Sequence, residues 1–142
     1  MKIQIDTNII IDYALIRQPF YDDADVVFSL IEQKKLEAYV SATTFTDIFY
    51  ILKKPRGKEW TLIFLQQLLT ICQISAVDEG IIKQALLKHY KDFEDDVQYH
   101  TALSNNLDAI VTRNPTDYPL NTTITILTPK QLLMSFISSS DN

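Results

Sequence analysis

The sequence predicts an α/β fold in which a parallel sheet of short strands is covered by helices on both faces. Three observations lead there. Short alternating or β-branched segments take turns with helical segments of about 10–15 residues, the pattern of successive βαβ units. The chain has 142 residues, 46% hydrophobic and 22% charged, which suits one packed domain over residues 1–142 better than a disordered chain. The sequence also carries no internal repeat, low-complexity run or interdomain linker.

The elements follow in order. Residues 2–5 alternate polar and apolar side chains and run into Asp6-Thr7-Asn8, a short strand followed by a cap cluster and an apolar helix over 9–15. A second helix is expected over 22–34, burying Val26, Val27, Leu30 and Ile31, and a strand over 37–41. Ser41-Ala42-Thr43-Thr44 opens a helix containing Phe45, Ile48, Phe49 and Leu52. Pro55 and Gly57 are expected to end it, and the next helix carries Trp60, Ile63, Phe64, Leu65 and Leu68. Residues 74–77 read as a strand, and Asp78 caps a helix holding Ile81, Ile82, Ala85 and Leu86. A helix from Phe93 to about Asn105, a strand over 109–112, a last strand over 124–127 and a closing helix opened by Pro129 complete the chain.

Composition removes several function classes. With Gly57 and Gly80 the only glycines, neither a GxGxxG nor a GxxxxGK phosphate loop can be present. One cysteine, Cys72, forms no internal disulfide and reads as a small buried hydrophobe. With only His89 and His100 beside it, a structural zinc site is not expected. There is no apolar run of 18 residues and no signal-peptide pattern, so a soluble cytoplasmic protein without membrane association is expected. The net charge of -5 argues against a simple nucleic-acid coat protein. The acids are 13 Asp against 5 Glu, although Glu is the better helix former.

Those aspartates fall at four stations. Asp6 follows the first strand, and Asp47 lies one turn into the helix after the second. Asp92, Glu94, Asp95 and Asp96 crowd a later helix start, and Asn114 and Asp117 follow the strand over 109–112. In an open parallel sheet, functional groups collect beyond the carboxyl ends of the strands, so adjacent strands would bring these groups to one cleft. Gathered carboxylates repel one another, and a divalent cation removes the conflict. Asp oxygens suit Mg²⁺ or Mn²⁺ better than Zn²⁺, and such an ion supports hydrolysis of a phosphodiester. Each station also has a plainer reading. Asp6 and Asp92 could be helix N-caps, Asp47 and the acids at 94–96 could answer the helix dipole, and Asn114 to Asp117 could be turn chemistry. Their shared placement after strands carries the argument.

Four segments resemble the PIN domain. They are Ile5-Asp6-Thr7-Asn8-Ile9-Ile10-Ile11-Asp12, Ser41-Ala42-Thr43-Thr44-Phe45-Thr46-Asp47-Ile48, Asp92-Phe93-Glu94-Asp95-Asp96-Val97-Gln98 and Val111-Thr112-Arg113-Asn114-Pro115-Thr116-Asp117-Tyr118. Their order matches over nearly the whole chain, with VapC-type bacterial toxins the most similar branch. The resemblance implies a Rossmann-like three-layer α/β/α sandwich and an Mg²⁺- or Mn²⁺-dependent ribonuclease, with a toxin–antitoxin pairing and homodimerisation as its usual context. Residue by residue, it makes Asp6 and Asp95 metal ligands and puts Asp47 where most relatives carry Glu, reaching the ion through water. It puts Asn114 at the fourth catalytic station, with Asp117 in the Asp-Tyr pair that follows, and makes Asn8 the residue that orients Asp6. Asp96 stands where relatives have a small residue; it could join the site, or pair with His100 one turn on, which is our expectation.

Lys53, Lys54, Arg56 and Lys58 put four cations in six residues of an acidic chain. They could hold an RNA backbone or simply be a solvated loop. Arg113 is a candidate phosphate contact or a bridge to a carboxylate. Tyr50, Phe49, Trp60 and Phe64 could stack on bases, although helical spacing favours core or interface. Two rival readings remain: a catalytically weak PIN-like RNA- or protein-binding scaffold, and a receiver-like phosphoacceptor domain. The second is disfavoured because Lys130 follows Pro129 inside a helix start.

Overall fold

In the computed structural model, which describes residues 1–120 and 123–140, five short strands form one parallel sheet. The strands are β1 (Lys2–Ile5), β2 (Glu37–Ser41), β3 (Cys72–Ser75), β4 (Ala109–Val111) and β5 (Thr125–Leu127), in spatial order β3-β2-β1-β4-β5. The helices are α1 (Thr7–Leu15), α2 (Tyr21–Glu32), α3 (Ala42–Arg56), α4 (Lys58–Ile71), α5 (Glu79–Leu87), α6 (Phe93–Ser104) and α7 (Pro129–Ser140), with a 3₁₀ turn at Pro115–Asp117. This is the expected α/β architecture, a short-stranded parallel sheet covered by helices. None of these helices is long and apolar enough to cross a membrane.

The chain leaves β1 toward β2 and β3, then crosses back to lay β4 and β5 on the other side. The order therefore reverses between β1 and β4, which pair through Ile3 with Ala109, Gln4 with Ile110 and Ile5 with Val111. Crevices beyond the strand ends at such a reversal are where open α/β sheets bind ligands. The central strands are fully covered: Ile3, Ile5, Val40 and Ile110 are buried, and α1, α2 and α3 close one layer with Ile9, Ile10, Val27, Phe28, Ile48 and Leu52. On the other layer Tyr99, Ala102, Leu107 and Tyr118 form a smaller cluster.

Several boundaries shift by a residue or two from the sequence reading, the end of α2 at Glu32 among them, and two departures have a clear physical cause. The third strand is residues 72–75 rather than 74–77, because its pairing with β2 runs from Ala38 opposite Cys72 to Ser41 opposite Ser75. Ladder register, not local hydrophobicity, sets its position, and it buries Cys72 at the edge of the core. Pro55 lies inside the last turn of α3 and does not end it. The break comes at Gly57, whose φ of 86° suits glycine and few other residues.

Candidate active site

Asp6 occupies the N-cap position of α1, yet its side chain makes no capping hydrogen bond. The carboxylate instead turns into the sheet end, where Oδ2 accepts from Thr112 Oγ1 at 2.7 Å and Oδ1 accepts from Gln98 Nε2 at 2.9 Å. The Asp6 backbone N–H is held by the Val111 carbonyl at 3.0 Å, so β4 fixes both ends of the residue. Gln98 is itself anchored: its carbonyl accepts from Gln4 Nε2 at 2.7 Å, and Gln4 Oε1 accepts from Ser75 Oγ at 2.8 Å. A buried polar chain thus runs from β3 through β1 and α6 to Asp6 and β4. Asp6 is 6% exposed. Burial pushes its carboxyl above the ordinary value, against the lowering effect of the hydrogen bonds from Thr112 and Gln98.

Asp95 stands in the first turn of α6, half-buried, and its carboxyl is raised to about 7. Desolvation is the main cause; the negative fields of Asp6, Asp92, Asp117 and Glu94 add to it. Asp92 is the true cap here, accepting from the Asp95 backbone N–H at 3.3 Å. Glu94 is also raised to about 7, first by desolvation and then by a carboxyl–carboxylate hydrogen bond with Asp47 and that residue's charge. Asp47 is the sixth residue of α3, beyond the first turn, so the helix dipole does not explain it. Asn114 is exposed ahead of the 3₁₀ turn that Asp117 ends, and its N–H donates to Thr112 Oγ1 at 3.2 Å.

The molecule thus gathers Asp6, Asp47, Glu94, Asp95 and Asp117 into one electrostatic neighbourhood; among the described residues none of these acids forms a salt bridge, and the Arg113 charge acts on Asp6 from its pairing with Asp12. Such a donor set suits a hard divalent ion. Among the described residues, however, no three Asp, Glu, His or Cys side chains form a closed metal-binding group. An ion held here would keep much of its water, as Mg²⁺ readily does. Two buried oxygens beside the acids lack any partner, Gln98 Oε1 and the Tyr118 hydroxyl. The Tyr118 hydroxyl is pushed well above its ordinary value by burial and by the charges of Asp6 and Asp95.

Several expectations are corrected. Asp96 does not pair with His100: it is 3% exposed and accepts from His89 Nδ1 at 2.7 Å and from the Tyr90 backbone N–H. His89 comes from the loop before α6, which folds back over the helix start, so sequence spacing along the helix pointed to the wrong histidine. Of the two readings of Arg113 the carboxylate bridge is the one observed, but its partner is Asp12 and not an acid of the cluster. The Arg113 Nε lies 3.0 Å from Oδ2 of the wholly buried Asp12, an ion pair by distance but without hydrogen-bond alignment. Its guanidinium covers the Phe20 ring at 4.1 Å. The hydrogen bonds that orient Asp6 come from Thr112 and Gln98, not from Asn8, which is half-buried on α1. Tyr50 and Trp60 are not core: they are 63% and 38% exposed.

Sequence reasoning gave no role to Thr112 or Gln98, and it grouped Glu94 with the helix-start acids without assigning it to the site. Gln98 had a usable signal, lying three residues after Asp95 and so on the same helix face. Thr112 had a weaker one, at the end of a strand next to β1.

A family model for the PIN domain matches residues 2–116. The chain belongs to the PIN domain family. No curated protein sequence matches it. Among solved structures, a chain of a toxin–antitoxin complex from Klebsiella pneumoniae is 21% identical with a TM-score of 0.66, covering 89% of this chain and 96% of that one. A chain of DNA-bound VapBC from Salmonella typhimurium is 19% identical with a TM-score of 0.65, covering 91% and 98%. The VapC20 toxin of Mycobacterium tuberculosis, described as cleaving the sarcin-ricin loop, is 15% identical with a TM-score of 0.61, covering 76% and 86%. At these identities the likeness is one of fold.

Proposed function

We propose that this chain is an Mg²⁺- or Mn²⁺-dependent endoribonuclease and the toxin of a toxin–antitoxin pair. The observation that carries the reading is the Asp6 carboxylate, buried at the sheet reversal and held by Thr112 and Gln98 beside an Asp95 raised to about 7. A buried acid with a repelling acidic neighbour is a poor structural device and a good cation site. Asp6 and Asp95 are the proposed ligands, with Asp47 acting through water and Glu94 as its proton-sharing neighbour. When bound, the ion would polarise the scissile phosphodiester and lower the pKa of an attacking water. Asn114 and Asp117 would orient that water or the phosphate from the β4 side, and Thr112 and Gln98 keep Asp6 aimed. The toxin role and an antitoxin partner are supported by the VapBC complexes among the fold neighbours; a homodimer is proposed from the resemblance of the sequence segments alone.

A catalytically weak scaffold is the second reading, favoured by the lack of a closed three-residue metal group among the described residues. One experiment separates the two. The purified chain should cleave single-stranded RNA with Mg²⁺ or Mn²⁺, and excess chelator should stop it. Asp6→Asn should be silent at unchanged folding. Cleavage that survives chelation, or none with either ion across a broad RNA panel, counts against the nuclease.

A further inference from the structure

Two exposed aromatic–cation pairs adjoin the elements that carry the acid cluster, one on α3 and one just before α6. On α3, Tyr50 lies three residues after Asp47, about 4.5 Å further along the same helix face. It is 63% exposed, and Lys53 Nζ sits 4.7 Å from its ring centroid. Lys54 is exposed one further turn along, in line with Asp47 and Tyr50. On the segment that leads into α6, Tyr90 is 42% exposed, with Lys91 Nζ 5.4 Å from its ring centroid, just before Asp92 caps the helix. Among the described residues, Lys53, Lys54 and Lys91 form no salt bridge, although the chain carries 18 acids.

The Tyr90 segment is held in place from three directions. The buried Asp96 carboxylate accepts from the Tyr90 N–H and from His89, and Lys91 Nζ donates to the Thr116 carbonyl at 2.9 Å. That last bond ties the segment to the 3₁₀ turn carrying Asp117, one of the acids acting on Asp95. The buried Asp96 thus fixes the backbone of an exposed Tyr-Lys pair. Aromatic rings beside ammonium groups that have no acidic partner match a single nucleic-acid strand, whose bases stack while its phosphates seek cations.

We propose that Tyr50 with Lys53 and Lys54, and Tyr90 with Lys91, are the two stacking subsites for the nucleotides flanking the scissile phosphate, so the substrate is a single strand drawn across the acid cluster. This deepens the nuclease reading and rests on it, naming where the strand lies. A duplex keeps its bases stacked on one another and offers these rings nothing to stack on.

The test is fluorescence anisotropy of labelled oligouridine on the full chain carrying Asp95→Asn, with Mg²⁺ present, so that cleavage plays no part. Tyr50→Ala and Tyr90→Ala should each weaken binding about five-fold or more, whereas Tyr50→Phe and Tyr90→Phe should bind like the parent, since the ring and not the hydroxyl is used. Lys53→Gln should lower the salt dependence by about 0.7 of a log–log slope unit. A hairpin duplex should bind less well than the single strand. No binding by the parent at low salt, or alanine variants that bind like it, overturns the proposal. So does a Tyr50→Ala chain that keeps oligouridine but loses a co-expressed protein partner, which would make the surface a protein interface. Wild-type cleavage is scored separately: strand binding through the tyrosines without any cleavage defeats the nuclease reading alone, and cleavage indifferent to both tyrosines defeats the track alone.

Discussion

Asp95→Asn should make the metal-free chain more stable above pH 7 while removing the proposed RNA cleavage. In the folded chain the Asp95 carboxyl is raised from 3.8 to about 7. The native state therefore binds more protons than the unfolded one between those values, and stability falls as pH rises through them. Below about 4 both states are protonated and nothing is lost; above about 7 the whole penalty is present. A displacement of that size corresponds to at most about 4 kcal/mol, but Asp95 is half-buried, and solvent screening leaves about 1–2 kcal/mol. Asparagine carries no charge at any pH, so it should recover that amount, about 3–6 °C in melting temperature for a chain of this size. The assay is thermal unfolding in chelator across pH 4 to 8, wild type against variant. The gain should grow with pH and vanish near pH 4. A pH-independent gain would point to packing, and no gain above pH 7 would mean that neither burial nor the neighbouring acids raise Asp95. Saturating Mn²⁺ should then raise the wild-type melting temperature more than that of Asp95→Asn.

Asp92→Asn should retain most RNA cleavage, because Asn caps a helix nearly as well as Asp; in the same gel assay Asp6→Asn should be inactive, and equal losses would refute the division into cap and ligand. Thr112→Val keeps the side-chain shape but takes a hydrogen bond from a buried carboxylate, so chemical denaturation should show a loss of about 1–3 kcal/mol and cleavage should fall with it. Arg113→Ala strands the buried Asp12 and should cost about 3 kcal/mol or more, whereas Asp12→Leu combined with Arg113→Met should be close to neutral. If Arg113→Ala instead melts like wild type and only loses RNA affinity, the phosphate-contact reading of Arg113 is restored.

Much of the fold was legible from local pattern alone. The strand at β1, the apolar face of α1, the caps at Asp78 and Asp92 and the proline opening of α7 depend on side-chain periodicity and on backbone chemistry within a few residues. Asp78 does accept from the Ile81 N–H, and Asp92 from that of Asp95. The placement of acids after strands was equally visible, because strand, turn and helix start are neighbours in sequence. What a one-dimensional pattern does not contain is which neighbour a polar atom finds across the fold. Asp6 was an equally good cap until Gln98 and Thr112, 92 and 106 residues away, took its oxygens. Asp96 chose His89 over His100 because a loop folds back, and Arg113 was drawn to Asp12 because burial makes an unpaired carboxylate costly. The third strand moved by two residues for the same reason: its position is set by backbone partners on β2. Local propensity acts over a few residues and is written in the sequence, whereas hydrogen-bond partnership and charge repulsion act through space and are decided only when the sheet brings β1, β4 and α6 together.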